Sequence, residues 1–313
     1  MKSVIITGAT GCVGRFLLKV CIDAGYEVLA VVHRESPRSS ELDSIPQCHV
    51  LRLNLDEYDN AFNELTNQGL SQKDYEIFFH LAWMAPFGKD RDNLFLQLKN
   101  IEAALSAVQF AASLGCSTFV GIGSQAEYGR VQGILSPDTP TFPETGYGIT
   151  KLCAGQMTRL SCEQSGLKHI WCRVLSAYGP YDRPQTIIRT AVTDMMQNLE
   201  TEFSPCEQMW EYIYAEDAAR AILLSAQKGE HGRIYMVSSG ETRRMKDFIK
   251  DISLLTGYTK EIGFGKRPYN DKQVMHLQSD ISSLEALGFS RRYSFNDGIQ
   301  KMIEYNKRTG VLC

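Results

Sequence analysis

Tyr147 and Lys151 stand four residues apart in the segment Tyr147-Gly148-Ile149-Thr150-Lys151. On a helix that spacing puts both side chains on one face, where an ammonium one turn away favours the phenolate. A free tyrosine titrates near ~10, so proton exchange at neutral pH needs a shift of about 2–3 units from nearby positive charge. Lys151 and an oxidised nicotinamide ring could together supply it. Tyr147 would then exchange a proton with a substrate hydroxyl while hydride passes to or from the cofactor. A surface Tyr–Lys pair has the same spacing, so a third group matters. Phe119-Val120-Gly121-Ile122-Gly123-Ser124 reads as a strand running into a loop. Ser124 at its end could hold the reacting oxygen beside Tyr147, or serve only as a turn or cap serine.

A second constellation lies near the start of the chain. Thr7-Gly8-Ala9-Thr10-Gly11-Cys12-Val13-Gly14 has the spacing GxxGxxG. It follows an apolar run, Val4 to Thr7, and opens a helical pattern, Cys12 to Ala24, that ends at Gly25; Glu27 to Val32 is the next apolar run. In this strand–helix–strand unit, Gly8 and Gly11 let the backbone approach a pyrophosphate. The helix beginning at Cys12 and Val13 offers unpaired N–H groups, and Gly14 lets it pack on the strand. After the second strand come His33, Arg34, Ser36 and Arg38, where an NAD site usually carries an acid and an NADP site an arginine. The cluster suits a 2′-phosphate, which favours NADP(H) over NAD(H); a basic surface loop is the other reading.

The elements that must position these groups alternate regularly. Further strands are expected at 48–53, 77–81, 118–121 and 169–175, with helices at 58–67, 94–114 and 147–165. Strands that are apolar throughout, separated by helices, predict an α/β doubly wound parallel sheet (Rossmann fold). Ligand chemistry in such a sheet gathers beyond the C-terminal strand ends. After Pro180 the texture changes to short mixed elements, with helices expected at 216–227, 245–256 and 295–305. The expected division is a dinucleotide-binding domain at 1–180 and a smaller C-terminal α/β substrate lobe at 181–313, part of which can return to the main sheet.

Composition sets the class. The 313 residues are 43% hydrophobic and 22% charged, with a net charge of −3. That balance gives no attraction for nucleic acid or an anionic membrane. The nine cysteines, Cys313 included, form no CxxC pair, so no metal is expected and reduced thiols in the cytoplasm are the simplest reading. The apolar start is too short for a signal peptide, and no run approaches the ~20 apolar residues that cross a bilayer.

Together these motifs resemble the extended short-chain dehydrogenase/reductase family, in its branch of nucleotide-sugar epimerases, dehydratases and 4-keto reductases. Thr7 to Gly14 resembles the family's TGxxGxxG. His80-Leu81-Ala82-Trp83 resembles its H-x-A segment, which lines the cofactor, and Asn100-Ile101 resembles its Asn-Val near the active site. Asn54 and Leu55 are also expected at the cofactor. Gly123-Ser124-Gln125-Ala126-Glu127-Tyr128-Gly129 is similar to S-[ST]-x-x-x-Y-G, and Arg173 with Tyr178-Gly179-Pro180 is similar to R-x-x-x-x-YGP. Glu211 to Ala219 resembles D-[FY]-I-x-V-x-D-[VA]-A, and Lys266-Arg267-Pro268 resembles a diphosphate-holding segment.

The resemblance implies catalysis by Ser124, Tyr147 and Lys151 on a nucleotide sugar touched by Ser124, Gln125, Glu127, Ser176, Trp210 and Arg267. Ser176 and Trp210 stand where epimerases of the branch usually place Asn and Arg. Dehydratases usually carry Asp-Glu where this chain has Gln125-Ala126, and an amide and a methyl cannot shuttle a proton. Reduction of a 4-keto sugar by NADPH is the favoured reaction, a 4-epimerase with tightly bound NAD the alternative, and a non-catalytic NADP-binding regulator the second alternative. The stripe Leu94, Leu98, Ile101 and Leu105 fits either a homodimer contact or ordinary core.

Overall fold

The computed structural model describes residues 2–310. Seven parallel strands form the central sheet. In chain order the first six are β1 (Ser3–Thr7), β2 (Glu27–Val32), β3 (Cys48–Arg52), β4 (Tyr75–His80), β5 (Thr118–Ser124) and β6 (Lys168–Val174). Between them lie α1 (Cys12–Asp23), the short α2 (Ser40–Asp43), α3 (Ala61–Asn67), α4 (Leu94–Ser113) and α5 (Gly146–Ser165). The later chain adds β7 (Ala177–Tyr178), α6 (Ile187–Met196), β8 (Met209–Glu211), β9 (Ile213–Tyr214) and α7 (Ala215–Lys228). It continues with β10 (Ile234–Val237), β11 (Thr242–Arg244), α8 (Met245–Thr256), α9 (Ser282–Glu285) and α10 (Phe295–Thr309).

The strand order is β10-β6-β5-β4-β1-β2-β3. The chain therefore runs outward from β1 to β3, then crosses back to place β4 on the other side of β1. The crevice between β1 and β4 is the switch point where such sheets bind ligands. Alternation along each strand explains the two layers. Val4 and Ile6 of β1, with Val28, Ala30 and Val32 of β2, join the core shared with α1 and α7. Ile5, Leu29 and Val31 point the other way, into the core with α3 and α4. Both faces being covered, the middles of β1 and β2 are apolar throughout.

Element types follow the sequence pattern, with local differences. Residues 55–60 form a 3-10 helix ahead of α3 rather than the start of one α-helix. β5 runs on to Ser124, so the serine ends the strand itself. α6 and β10 fall where no element is expected; β10 pairs with β6 and takes the late chain back into the main sheet. Buried Glu211, at the end of β8, accepts hydrogen bonds from the Ser279 backbone at 2.8 Å, from Thr242 at 2.8 Å and from the Ser238 and Ser279 hydroxyls. It thereby ties β8, β11 and the segment before α9 together. Among the described residues no helix is long and apolar enough to cross a membrane, no cluster of side chains could hold a metal, and the eight cysteines are free; Cys313 lies outside the described residues.

Candidate active site

The glycine turn sits at the switch point, and Gly8 and Gly14 are sterically required in it. Gly8 has φ of 71°, and a Cβ there would come within 2.9 Å of the Ala82 nitrogen. A Cβ at Gly14 would come within 2.2 Å of the Gly8 oxygen, so α1 approaches β1 only without one. Gly11 caps α1 without a side-chain hydrogen bond, and no acidic residue stands in the first turn. The N–H groups beginning at Cys12 and Val13 and the positive end of a 12-residue helix therefore remain open to an anion, as a dinucleotide's pyrophosphate requires. The Thr7 hydroxyl accepts from the Leu81 and Ala82 backbones, each at 3.1 Å, and donates to His80 Nδ1 at 3.1 Å. Burial, and then the charge of Lys151, push His80 down to about 3, so the imidazole stays neutral and serves as a fixed acceptor. This network locks Leu81 and Ala82 against the glycine turn.

The basic cluster after β2 is more balanced than its sequence implies. Arg34, expected to face a 2′-phosphate, lies at the surface and donates through Nε to both Glu57 carboxylate oxygens at 2.9 and 3.1 Å. Its backbone N–H goes to Asn54 Oδ1 at 3.3 Å, which makes Asn54 a support of this loop, while Leu55 packs against the core that includes Ile5 and Tyr58. His33 Nδ1 accepts from the Glu35 backbone at 3.1 Å. Ser36 meets Thr10 of the glycine turn at 3.3 Å, and Arg38 donates to the Tyr181 carbonyl at 3.0 Å. Arg38 has no carboxylate partner among the described residues.

The catalytic candidates converge at the C-terminal end of β5. Thr145 caps α5 by accepting from the Gly148 backbone at 3.1 Å, and Asp92 accepts from Gly146 at 2.7 Å. Gly148 is required because a Cβ would come within 2.3 Å of the Ala126 oxygen. That close approach sets the first turn of α5, which carries Tyr147, against the turn that follows Ser124 at the end of β5. Burial raises the Tyr147 phenol; the Ser124 hydrogen bond and the Arg91 charge pull it back down, and Glu127 opposes them.

Lys151 lies one turn from Tyr147 on α5. Its ammonium donates to the Ile122 carbonyl at 2.6 Å and lies 3.7 Å from the Trp83 ring centre, against 5.9 Å from the Tyr147 ring. Burial lowers it to about 7, with Glu127 opposing. Trp83 stands edge-on to Tyr147 at 6.1 Å, its N–H given to Gln97 at 3.0 Å. A second cation, Arg91, lies over the Tyr147 ring, with its guanidinium carbon 4.8 Å from the ring centre. Sequence reasoning missed Arg91 because Lys89-Asp90-Arg91-Asp92 looks like an ordinary solvated charge run.

A cleft of about 540 Å³ opens beside this group, lined among others by Arg91, Gln125, Arg130, Trp210, Tyr212 and Lys272. Gln125 and Trp210 reach it as expected. Trp210 donates its N–H to the Ser176 hydroxyl at 2.9 Å, so the two departures from the branch's pattern are partners. Ser176 has φ of 41°, a left-handed conformation in which Asn is enriched. Three expectations are corrected. Glu127 is fully buried and cannot meet a substrate: it pairs with Arg173 at 2.7 Å and accepts from the Ser124 backbone at 2.8 Å and from Trp171. Arg267 does not line the cleft; it is exposed and pairs with Glu202 at 3.1 Å. Asn100 is buried and spends its amide on the Met84 backbone at 2.6 and 3.2 Å, bracing the loop behind Trp83.

The sequence profile of the NAD dependent epimerase/dehydratase family matches residues 4–238. The chain is similar to a trifunctional UDP-glucose 4,6-dehydratase/UDP-4-keto-6-deoxy-D-glucose 3,5-epimerase/UDP-4-keto-L-rhamnose-reductase of Arabidopsis thaliana, 24% identical over 317 residues that cover 97% of this chain and 47% of that one. It thus spans about half the length of that relative. It is also similar to dTDP-4-dehydro-6-deoxyglucose reductase of Escherichia coli, 22% identical over 313 residues covering 97% of each chain. Among solved structures, UDP-glucose 4-epimerase from Thermotoga maritima, with UDP-glucose, shares the fold with a TM-score of 0.87 at 22% identity, covering 99% of both chains.

Proposed function

The chain belongs to the NAD dependent epimerase/dehydratase family, and from that premise we propose that it reduces the 4-keto group of a nucleotide-linked sugar, with NADP(H) preferred over NAD(H). The observation that carries this reading is that Ser124 closes β5 and Tyr147 stands in the first turn of α5, beside a 540 Å³ cleft lined by their neighbours Gln125, Ala126 and Thr145, at the strand ends that also hold the open start of α1. The dinucleotide, when bound, supplies the hydride that the sugar carbon receives. Ser124 holds the carbonyl oxygen, and Tyr147 gives that oxygen its proton, so the ketone gains one hydride and one proton and becomes an alcohol. Lys151 and Arg91 carry the positive charge that offsets the phenolate left behind. Gly8, Gly11, Cys12, Val13 and Gly14 would hold the pyrophosphate, with Leu81, Ala82 and Trp83 along the cofactor and Arg38 at a 2′-phosphate.

Dehydration is disfavoured on two grounds. Gln125 and Ala126 occupy the cleft wall beside Ser124, and Glu127, the nearest carboxylate in sequence, is consumed by Arg173. One observation favours the 4-epimerase reading: Arg34 is engaged by Glu57, which weakens the case for a 2′-phosphate and hence for an exchangeable NADPH. The two reactions separate in one experiment. With NADPH deuterated at the transferring position and a UDP- or dTDP-linked 4-keto sugar, a reductase makes a product carrying deuterium at C4 and releases NADP. Interconversion of 4-hydroxy epimers over a co-purified NAD, with no net label uptake, establishes the epimerase instead. Loss of both activities, with binding retained, leaves the regulator.

We assign the dinucleotide to residues 1–180 and the nucleotide sugar chiefly to 181–313. A homodimer through α4 and α5 is supported by the exposed Leu94, Phe95 and Leu98 on the first helix and Ile149, Met157 and Leu160 on the second. Ile101, expected in the same stripe, is buried inside with Ala104 and Ala154. Light scattering that finds a monomer at micromolar concentration removes the dimer. The eight free thiols support a reducing, cytoplasmic setting.

A further inference from the structure

We propose that the reacting sugar is a sugar acid: its C5 bears a carboxylate that Arg91 holds, and one of its hydroxyls donates to Gln208. This deepens the reading of the cleft as a sugar site and rests on C4 reacting at Tyr147. The first observation is the balance of charge. Three cations, Arg91, Arg130 and Lys272, and two acids, Asp92 and Glu144, line the cleft. Glu144 accepts from Arg130 through both oxygens, each at 2.7 Å. Asp92 pairs with Lys272 at 3.6 Å. Arg91, on the short helix Lys89–Asp92, is left over. Among the described residues its side chain has no ion pair, and its Nε is buried without a hydrogen-bond partner. The cleft thus carries one positive charge that only an anion from outside can offset.

The second observation comes from the opposite wall. Gln208 is 4% exposed, and its Oε1 is buried with no donor. It lines the same cleft in a row with Trp210 and Tyr212, alternate residues that share one face of an extended chain. A buried donor and a buried acceptor are each costly to leave unpaired. A polyhydroxy carboxylate satisfies both, whereas a diphosphate, which only accepts, satisfies Arg91 alone. Position points the same way. The Arg91 guanidinium carbon lies 4.8 Å from the centre of the Tyr147 ring, at the reacting end. In a pyranose C1 lies across the ring from C4, so a diphosphate linked at C1 points away from that end. The groups that flank C4 are those on C3 and C5. A carboxylate on C5 meets the planar guanidinium with two parallel hydrogen bonds.

UDP-glucose and UDP-glucuronate, which differ only in the group on C5, test this by calorimetric titration of the full-length protein with dinucleotide present. Wild type should bind the glucuronate at least about tenfold more tightly. Arg91→Gln should weaken the glucuronate by about 10–100-fold and UDP-glucose by less than about twofold, and Arg91→Lys should keep part of the preference. Gln208→Leu should weaken both sugars equally, by about fivefold. Wild-type melting temperatures show that the variants are folded. Equal affinity of wild type for the two sugars overturns the proposal. So does an equal loss of both in Arg91→Gln, which assigns Arg91 to the diphosphate instead. Unchanged binding in Gln208→Leu overturns the hydroxyl contact. If neither nucleotide sugar binds, the nucleotide-sugar reading fails, and saturation-transfer NMR with free glucuronate and free glucose decides the acid site. Transfer to glucuronate that is lost in Arg91→Gln upholds it, and equal transfer to both sugars, or none, overturns it.

Discussion

Glu127→Gln is the perturbation with the most definite expected size. Glu127 and Arg173 form an ion pair at 2.7 Å with side-chain exposures of 0% and 3%. The carboxylate accepts from the Ser124 backbone at 2.8 Å, the Trp171 indole at 3.1 Å and the Arg173 guanidinium. Glutamine has the same shape, so no cavity opens. Its amide, however, puts two donors where an acceptor is needed. In one orientation the NH₂ faces Arg173; in the other it faces the Ser124 N–H and the indole. Arg173 also keeps its charge without a counter-ion, its other donor going to the Tyr128 hydroxyl at 2.6 Å. Removing one partner of a buried pair costs about 3–5 kcal/mol. At roughly 2 °C per kcal/mol for a chain this large, the melting temperature should fall by about 6–10 °C. The loss should extend to catalysis, because the Ser124 backbone loses the anchor that fixes its hydroxyl. Calorimetry of the variant beside wild type at neutral pH measures the first effect. A melting temperature within about 2 °C of wild type would refute the reasoning that the pair holds the site together.

Three further outcomes are expected. Lys151 titrates near 7 in the folded protein against 10.5 for the ordinary side chain; the unfolded chain therefore binds more protons between those values, and stability should rise with pH across that window. Chemical denaturation from pH 7 to 9 should show this rise in wild type and lose it in Lys151→Met. Gly14→Ala, which brings a Cβ to within 2.2 Å of the Gly8 oxygen, should destabilise the protein by about 1–3 kcal/mol and abolish dinucleotide binding, read by melting with and without cofactor. Arg38→Ala should weaken NADP binding about tenfold, equivalent to about 1.4 kcal/mol, and leave NAD affinity unchanged in calorimetric titration; an equal loss for both removes Arg38 from the 2′-phosphate.

The doubly wound fold was legible because strands buried on both faces read as apolar runs, as the middles of β1 and β2 do, and helices such as α1 as amphipathic ones. Met245–Thr256 stands at its expected boundaries, since Gly257 with φ of 71° stops it. The glycine turn was legible for a steric reason, Gly8 and Gly14 each answering a close approach by backbone. That Ser124 closes a strand and Tyr147 opens a helix was legible too, from the apolar run before the one and the helical spacing after the other. Long-range pairings were not. Glu127 and Arg173 lie 46 residues apart, and nothing local marks either as buried, so Glu127 looked available to substrate. Arg267 carried a motif, yet its partner Glu202 lies 65 residues away at the surface. Arg91 sat in a charge run, and only the packing of that turn against α5 reveals it. β10 is short, and its place in the sheet depends on pairing with β6, which no periodicity encodes.

The most direct test is the single-turnover rate of hydride transfer in Tyr147→Phe, measured with dinucleotide and nucleotide sugar both saturating. Removing the phenolic oxygen should slow transfer by about 10²–10⁴-fold while the melting temperature and cofactor affinity hold. A rate equal to wild type would mean that the proton travels by another route and that the phenol beside Ser124 is not the reacting group.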